Sequence, residues 1–337
     1  MKAVVLTGKH EAHIGEFPTP PMDSGCVKVA VSYCGLCGTD FHKYEGKSGS
    51  RPLKLPIPLG HEVSGIVEEV GSDVTDFQPG DRVTVDPNWS CGKCWYCQSG
   101  LTHMCENSRG VVKGMADYVC PPQENVYKIP DTLSLRDAAL TEPLSCCLHG
   151  MDLLDVKLGQ TVAIVGMGAI GAIMVQLCRL ASAAEIIVIE TQEEKREKAM
   201  MLGATHFINP AATDPAVEIA RLGIRNVDKV MECVGLPVTV NTALRVAGRC
   251  ARVVLFGLGD PATPVPFDQY AAITKELDIR TSFLNPHTTG RAIRLLASGA
   301  IDTDSIISAE VAAEDLLDEL QNRTWSRLGK VMVKWRE

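Results

Sequence analysis

The residues "TVAIVGMGAIG", numbers 161–171, decide the fold. An apolar run is followed by three glycines in the spacing G-x-G-x-x-G, namely Gly166, Gly168 and Gly171. In a strand–turn–helix unit, the first glycine makes the turn, the second lets a pyrophosphate approach the backbone, and the third lets helix and strand pack closely. The stretch therefore predicts a dinucleotide site at the N-terminus of a helix.

The next apolar strand, "EIIVIE", ends in Glu190, at about the twenty-residue distance where dinucleotide-binding folds place an acidic residue. A carboxylate there accepts hydrogen bonds from ribose hydroxyls and repels a 2′-phosphate, so it predicts NAD rather than NADP. Thr191 and Gln192 follow directly, and Lys195 and Arg196 come later, in the next predicted helix.

Helices and strands continue to alternate after Glu190. The predicted helices are "EEKREKAMMLGA", "PAVEIARLG" and "VTVNTALRVAG", and the predicted strands are "HFINP", "VDKVMECVG" and "ARVVLFGLG". This alternation indicates an α/β fold with a doubly wound parallel sheet. The chain before residue 150 differs, because short Val-rich strands such as "CVKVAVSY", "VSGIVEEVG" and "DRVTV" lie among glycines and prolines, which indicates an antiparallel β region.

Four cysteines form the strongest metal signal. Cys91, Cys94, Cys97 and Cys105 follow the pattern C-x2-C-x2-C-x7-C within a lobe at 88–108. Four thiolates that leave no open coordination position are typical of a structural zinc site. An iron–sulfur cluster also uses four cysteines, but the last gap here differs from the ferredoxin pattern and no proline follows.

A second group of potential ligands comes from separate segments, as in catalytic zinc sites. "CGLCGTDFH" supplies the thiol of Cys37, "PLGHEVSG" supplies His61 and Glu62, and "LTEPLSCC" supplies Glu142. A catalytic zinc takes three protein ligands and keeps one position for water or substrate. The sequence leaves open whether Glu62 or Glu142 completes the set.

Composition narrows the class of protein. The chain has 337 residues, a net charge of −8 and thirteen cysteines. No basic patch indicates nucleic-acid binding, and the N-terminal apolar run is too short for a secretory signal, so we expect a soluble, cytoplasmic protein with reduced thiols. Residues 159–178 carry no charge and are long enough to span a membrane, but the glycine fingerprint explains them better.

The motifs "CGLCGTD", "PLGHEVSGIVEEVG", "FQPGDRV", "EPL", "ECVG" and "LLASGAID", with the four-cysteine lobe, resemble the zinc-containing medium-chain alcohol and polyol dehydrogenases over nearly the whole chain. The resemblance implies a GroES-like catalytic domain at 1–150, a Rossmann domain at 151–292, and a return to the catalytic domain at 293–337. The piece after Cys105 is several residues shorter than in most of the family, which suggests a more open pocket.

The resemblance also implies roles for individual residues. Cys37, His61 and Glu62 match the zinc ligands of the polyol branch, and Glu142 matches a carboxylate that binds zinc directly or through water. Asp40 matches an acid that orients the zinc histidine. Thr39 and His42 match a proton relay that runs from the alcohol through the cofactor ribose to solvent. The expected cofactor contacts are Gly166, Gly168, Ile170, Gly171, Glu190, Arg196, Val234 and Gly257.

The expected reaction is oxidation of a secondary hydroxyl of a polyol or reduced sugar to a ketose, with two zinc ions per chain and NAD as the cofactor. Lys43 and Asn285 are candidate substrate contacts, with His287 nearby. Two alternatives stay open: a dehydrogenase of an amino alcohol such as threonine or an aminocyclitol, and a non-enzymatic zinc- and nucleotide-binding protein. We expect a homodimer or homotetramer, paired through the edge strand "CARVVLFGLG".

Overall fold

The structure is a computed structural model that describes residues 1–47 and 52–336. The chain divides into two units, one of residues 1–145 and 284–337 and the other of residues 146–283. Both boundaries fall a few residues earlier than the expected 150 and 292. The first lies within a helix, Thr141–Leu154, so no loop marks the change.

The first part of the chain consists mainly of strands. They are β1 (Lys2–Gly8), β2 (Glu11–Glu16), β3 (Val27–Leu36), β4 (Ile57–Pro58), β5 (Glu62–Val70), β6 (Arg82–Val85), β7 (Asn88–Trp89), β8 (Arg109–Gly110), β9 (Tyr118–Val119) and β10 (Val126–Lys128). The helices are α1 (Gly38–Tyr44), α2 (Trp95–Gln98), α3 (Leu135–Ala138) and α4 (Thr141–Leu154).

The middle of the chain alternates strands and helices. Its strands are β11 (Thr161–Val165), β12 (Glu185–Ile189), β13 (His206–Ile208), β14 (Lys229–Glu232), β15 (Arg252–Leu255) and β16 (Asp278–Thr281). Its helices are α5 (Ala169–Leu180), α6 (Arg196–Leu202), α7 (Pro215–Arg221), α8 (Pro237–Val246) and α9 (Gln269–Thr274). The end of the chain adds α10 (Thr289–Ala297), β17 (Ile307–Ala312), α11 (Leu316–Asn322) and β18 (Lys330–Lys334).

The main sheet of the first unit has the order β10-β6-β5-β3-β18-β17, with β9 also paired to β3. The expected return of the C-terminal residues is visible here, because β18 runs antiparallel to β3 and pairs Val331 with Leu36. Alternate valines of β3 (Val27, Val29 and Val31) are fully buried, so the Val-rich pattern of the sequence became the core face of this sheet.

The second unit contains one parallel sheet of order β13-β12-β11-β14-β15-β16. This is the Rossmann order, in which the chain reverses direction beside the first strand and ligands bind at the carboxyl ends. The predicted helix end at Gly203 is confirmed, because this residue has a φ of 117° and caps α6.

The sheet order corrects one expectation. β15, the strand of "CARVVLFGLG", is not an edge, because it pairs with β14 on one side and β16 on the other. The edge strand on this side of the sheet is β16, whose sequence "DIRT" is half exposed and lacks the apolar pattern that identified the other strands.

The uncharged stretch at 159–178 forms β11 and most of α5. Within residues 1–47 and 52–336, no helix has the length and apolar character needed to cross a membrane.

Candidate active site and metal centres

The four cysteines of the lobe converge as expected. Cys91, Cys94, Cys97 and Cys105 have their sulfurs within 4.8 Å of one another. The Sγ of Cys94 lies 3.5 Å from that of Cys97 and 3.9 Å from that of Cys105. A tetrahedral zinc with Zn–S bonds of about 2.3 Å needs sulfurs roughly 3.8 Å apart, so this donor set fits the ion.

The charges within the lobe also suit a cation. The backbone N–H of Lys93, followed by the side-chain amide of Asn107, lowers the pKa of Cys91 to about 6. Burial and the neighbouring Cys94 thiol raise the pKa of Cys97 to about 12. The Cys91 thiolate therefore forms readily, whereas ionisation of Cys97 is opposed. A bound cation would stabilise both thiolates.

The second predicted metal group also forms. Cys37, His61 and Glu62 place ligand atoms within 4.8 Å of one another. Cys37 immediately precedes α1, and Glu62 begins β5, so the antiparallel pairing of Gly35 with Glu62 brings the two segments together. A thiol, an imidazole and a carboxylate match the ligand types of a catalytic zinc site.

Glu62 has a partner that the sequence did not reveal. Both carboxylate oxygens accept hydrogen bonds from Lys330 Nζ, at 2.6 and 2.8 Å, and the same ammonium donates to the Leu36 carbonyl at 3.2 Å. Glu62 is 1% exposed and Lys330 4%. Lys330 therefore neutralises Glu62 and fixes its orientation beside Cys37 and His61.

Asp40 contacts backbone N–H groups and does not hydrogen-bond to His61, the zinc histidine that it was expected to orient. Its Oδ1 lies 3.9 Å from His61 Nδ1, which is too far for a hydrogen bond. Its carboxylate instead accepts the N–H of Cys37 at 3.2 Å and the N–H of Gly60 at 3.0 Å. Asp40 thus ties together the two backbone segments that carry Cys37 and His61.

Electrostatics at the site reflect its burial. Burial lowers the pKa of His61, but the Cys37 thiolate, Asp40 and Glu142 outweigh this effect and raise the pKa to about 10. Burial raises the pKa of Glu142 to about 7, against the opposing effect of His61. Glu142, in the first turn of α4, is therefore close enough to interact with His61, although it lies outside the tight ligand group.

The two proposed relay residues share helix α1. Thr39 Oγ1 lies 3.7 Å from Cys37 Sγ, and both Thr39 and His42 are half-buried. Residues three apart on a helix lie on the same face, so His42 follows Thr39 along the side of α1. Lys43, the next residue, lies with its Nζ 3.8 Å from Asp40 Oδ1.

Asn285, a candidate substrate contact, is buried and uses its side-chain amide in contacts within the protein. It is 4% exposed, its amide donates to Ser145 Oγ at 3.1 Å, and its carbonyl oxygen accepts from Asn88 at 2.9 Å. His287 lies beside the zinc lobe, with Nε2 3.5 Å from Thr102 Oγ1. The hydrogen bonds of both residues are thus made within the first unit.

The glycine loop of the second unit is shaped for a dinucleotide. A side chain on Gly171 would collide with the carbonyl of Gly166, which has a φ of 98°. A Cβ on Gly168 would meet no protein atom within 4 Å, so the space beside it is open. The tight packing at one glycine and the free space at the other fit the roles assigned to them from the sequence.

Other predicted cofactor residues surround this loop. Ile170 is half-buried near the start of α5. Val234 covers Gly166, and its N–H donates to Glu232 Oε1 at 2.9 Å. Gly257 follows β15 closely and leaves no room for a side chain against Val234 and Gly235. These residues all follow carboxyl ends of strands, where this class of fold binds its ligand.

The cation beside Glu190 is Lys195, whereas Arg196, a predicted cofactor contact, contacts other groups. Lys195 Nζ lies 3.6 Å from Glu190, whereas Arg196 pairs with Glu193 and donates to the Phe207 carbonyl at 3.1 Å. Glu190 also accepts the N–H groups of Met167 and Gln192, at 2.9 and 3.0 Å. Burial opposes ionisation, yet these N–H groups and Lys195 lower the pKa of Glu190 below its usual value.

A glycine loop on a parallel sheet, together with two zinc-type ligand groups, is typical of a metal-dependent dehydrogenase that uses a dinucleotide. Residues 23–131 match the alcohol dehydrogenase GroES-like domain, and residues 169–298 match the zinc-binding dehydrogenase domain. The chain belongs to the zinc-containing medium-chain alcohol and polyol dehydrogenase family.

Several relatives resemble it over nearly their full length. Sorbitol dehydrogenase of Bacillus subtilis is 33% identical, over 95% of this chain and 93% of that protein. D-xylulose reductase A of Aspergillus oryzae is 31% identical, over 92% of this chain and 90% of its own. A solved chain from Sinorhizobium meliloti 1021, described as a zinc-binding dehydrogenase and bound to NADP, superposes with a TM-score of 0.93 and 38% identity, covering 99% of both chains.

Proposed function

We propose that this protein oxidises a secondary hydroxyl of a polyol or reduced sugar to a ketose, using NAD and one catalytic zinc. The observation that carries the proposal is the group of Cys37, His61 and Glu62, whose ligand atoms lie within 4.8 Å of one another. The named activities of the Bacillus and Aspergillus relatives support this substrate class. A second zinc, held by the four-cysteine lobe, would have a structural role.

Cys37, His61 and Glu62 would hold the catalytic zinc, with Glu142 as a further carboxylate. Zinc supplies the Lewis acidity that lowers the pKa of a bound hydroxyl, and NAD supplies the acceptor for the hydride. Lys330 orients Glu62 through its hydrogen bonds, and Asp40 holds the Cys37 and Gly60 backbones close together.

Thr39 and His42 would remove the proton. The Thr39 hydroxyl takes up the proton of the substrate hydroxyl as its own passes toward His42, on the same face of α1. The C–H bond of the carbinol carbon breaks with both electrons leaving as hydride, the C–O bond becomes a ketone, and one proton reaches solvent.

We propose NAD rather than NADP because Glu190 is ionised and Lys195 is already paired with it. A 2′-phosphate would meet this carboxylate, and like charges in contact oppose binding. Because the Sinorhizobium meliloti relative was solved with NADP, the preference for NAD over NADP is tested directly. Glu190→Gln removes the charge and keeps the shape, so it should improve kcat/KM with NADP relative to NAD by roughly tenfold or more. An unchanged ratio would contradict the role of Glu190.

We also propose a cytoplasmic homodimer or homotetramer. All thirteen cysteines are free thiols, which suits a reducing compartment. β16 is an edge strand, and pairing between two copies would cover its exposed backbone groups. A monomer mass in solution scattering at micromolar concentration would contradict this assembly.

The experiment that tests the main proposal is a screen for NADH formation. Linear polyols of four to six carbons, cyclitols, threonine and simple alcohols are each offered with NAD to the zinc-loaded protein. Faster turnover of ethanol or butanol than of every polyol would refute the polyol assignment. Activity confined to threonine or aminocyclitols would favour an amino-alcohol dehydrogenase, and no turnover with a folded, zinc-loaded protein would favour a non-enzymatic role.

A further inference from the structure

A cavity of about 700 Å³ lies at the amino edge of the parallel sheet, within the unit of residues 146–283. It is lined by three loops that each lead into a strand, with Arg225 and Asn226 before β14, Gly248 and Arg249 before β15, and Thr274 and Lys275 before β16. The glycine loop that includes Gly166 follows the carboxyl end of β11, at the opposite edge of this sheet. The cavity is therefore separate from the dinucleotide loop.

The loops that carry Arg225 and Arg249 are joined through Asn226. Its side-chain oxygen accepts the N–H of Arg249 at 3.0 Å, and its side-chain nitrogen donates to the Arg249 carbonyl at 3.4 Å. Gly248 donates its N–H to the Val227 carbonyl at 3.0 Å, and a side chain on Gly248 would collide with Asn226. The backbone segments of the two arginines are thus held against each other, so that both arginines line one cavity.

The third cation of the cavity, Lys275, has a structural role. Its Nζ donates to the carbonyls of Leu244, Arg245 and Ala247, at 3.4, 2.9 and 2.9 Å. These carbonyls belong to the end of α8, where backbone C=O groups lack partners within the helix. All three donors of the ammonium are used, so Lys275 adds positive charge to the cavity wall but keeps no donor for a ligand.

The two arginines have no such partner. Arg225 and Arg249 are exposed to solvent at the cavity wall, and among residues 1–47 and 52–336 their guanidinium groups make no hydrogen bond or ion pair. The donors of both groups are therefore free for a ligand. A cleft that carries charge of one sign concentrates counter-ions from solution, although this chain as a whole has a net charge of −8.

The acidic residues that adjoin these loops are engaged elsewhere. Asp228 accepts a hydrogen bond from Asn226 at 2.9 Å, and Asp278 pairs with two other arginines, at 2.6 and 3.2 Å. Glu276 has its Oε2 3.7 Å from the Sγ of Cys250. In the described part of the chain, none of these carboxylates pairs with either arginine of the cavity, so its positive charge is not neutralised from within.

We propose that this cavity binds a small organic phosphate monoester, with its phosphate held by Arg225 and Arg249. A guanidinium presents a planar fork of donors that matches the oxygens of a phosphate and bonds to it in a bidentate manner. A volume of about 700 Å³ is that of a small-molecule pocket and is far larger than a phosphate ion, which favours a phosphate carried by an organic group.

The test is calorimetric titration of zinc-loaded protein saturated with NAD, so that the dinucleotide loop is filled. The probes are AMP, adenosine, inorganic phosphate and a hexapeptide of glutamates. We expect AMP to bind roughly tenfold or more tightly than inorganic phosphate, and adenosine to give no measurable binding because it lacks the charged group. The Kd of AMP should not change when the NAD concentration is raised, because the two ligands occupy opposite edges of the sheet.

Two substitutions test the arginines directly. Arg225→Gln and Arg249→Gln should each weaken AMP binding roughly 10- to 100-fold, because charge-assisted hydrogen bonds are lost, while NAD affinity and zinc content stay unchanged. Arg249→Lys keeps the charge without the fork and should lose less affinity than Arg249→Gln. Arg221→Gln is the matched control, because it removes an exposed arginine of the same unit, 3.6 Å from Glu218, and it should bind AMP like wild type.

Several results would overturn the inference. They are an absence of AMP binding to the NAD-saturated protein, an AMP affinity that falls in proportion as NAD is raised, and wild-type affinity in both glutamine variants. Inorganic phosphate that binds as tightly as AMP would exclude recognition of an ester, and binding of the glutamate peptide without AMP would assign the cavity to an acidic protein segment. None of these measurements depends on polyol turnover, so they leave the proposed reaction to its own test.

Discussion

Replacing Lys330 by Met tests the buried ion pair that orients Glu62. Lys330 Nζ contacts both carboxylate oxygens, at 2.6 and 2.8 Å, and both side chains are nearly excluded from solvent. The replacement keeps an apolar stem of similar length but leaves the Glu62 charge without its cation. Removing one partner of a buried pair costs about 3–5 kcal/mol, because the remaining carboxylate stays buried with neither a cation nor water to stabilise it.

This loss is large enough to measure by calorimetry. For a unit of this size, about 1 kcal/mol corresponds to roughly 2–4 °C in Tm, so the transition should fall by roughly 6–20 °C. The zinc content of each sample is recorded, since an ion beside Glu62 offsets part of the missing charge.

Two controls separate charge from packing. Lys2→Met breaks an ion pair of equal length, 2.6 Å to Glu314, whose side chains are 47% and 63% exposed. An exposed pair contributes at most about 1 kcal/mol, so this Tm should hardly change. The double variant Lys330→Met with Glu62→Gln removes the unpaired charge and should recover part of the loss. Equal Tm values for the Lys330 and Lys2 variants, or no recovery in the double variant, would refute the reasoning.

Three further predictions concern other parts of the chain. Cys94→Ser should reduce the zinc content measured by metal analysis from two ions per chain to one and lower the Tm, whereas an unchanged metal content would exclude the lobe as a zinc site. Gly168→Ala should weaken NAD binding by roughly tenfold or more in calorimetric titration, because the added methyl group enters open space that a pyrophosphate would fill. Its Tm should change little. Gly171→Ala should instead lower the Tm, since its methyl group collides with the Gly166 carbonyl. The pKa of Glu190 is lowered in the folded protein, so its stabilising effect is present above the unfolded pKa of about 4.5 and is lost as the pH falls through the folded pKa. A Glu190→Gln variant should therefore lose less Tm than wild type between about pH 5.5 and about pH 3, and parallel curves would contradict this.

The parts of the site that depend on short spacings were predictable from the sequence. The turn at Gly166, the four-cysteine lobe, and the sequences around Cys37 and His61 each place their groups through local backbone geometry. The structure brings the four cysteines together as their spacing indicated, whereas Cys37 and His61 come together through the pairing of β3 with β5.

The errors came from contacts between distant segments. Lys330 lies 268 residues from Glu62 in the chain, and no spacing relates them. Asn285 looked like a free polar group because its partners, Asn88 and Ser145, lie on distant elements.

The position of β18 has a consequence for how the protein is made. β18 lies between β17 and β3 in the main sheet, and it carries Lys330 from near the end of the chain. Residues 146–283 have all been synthesised before this strand leaves the ribosome, and domains generally fold as units during synthesis. The nucleotide-binding unit can therefore fold first. Until β18 is made, residues 1–145 lack it, so the edge of β3 and the Glu62 carboxylate have no partner. During that interval the unpaired strand edge makes the nascent chain prone to aggregation.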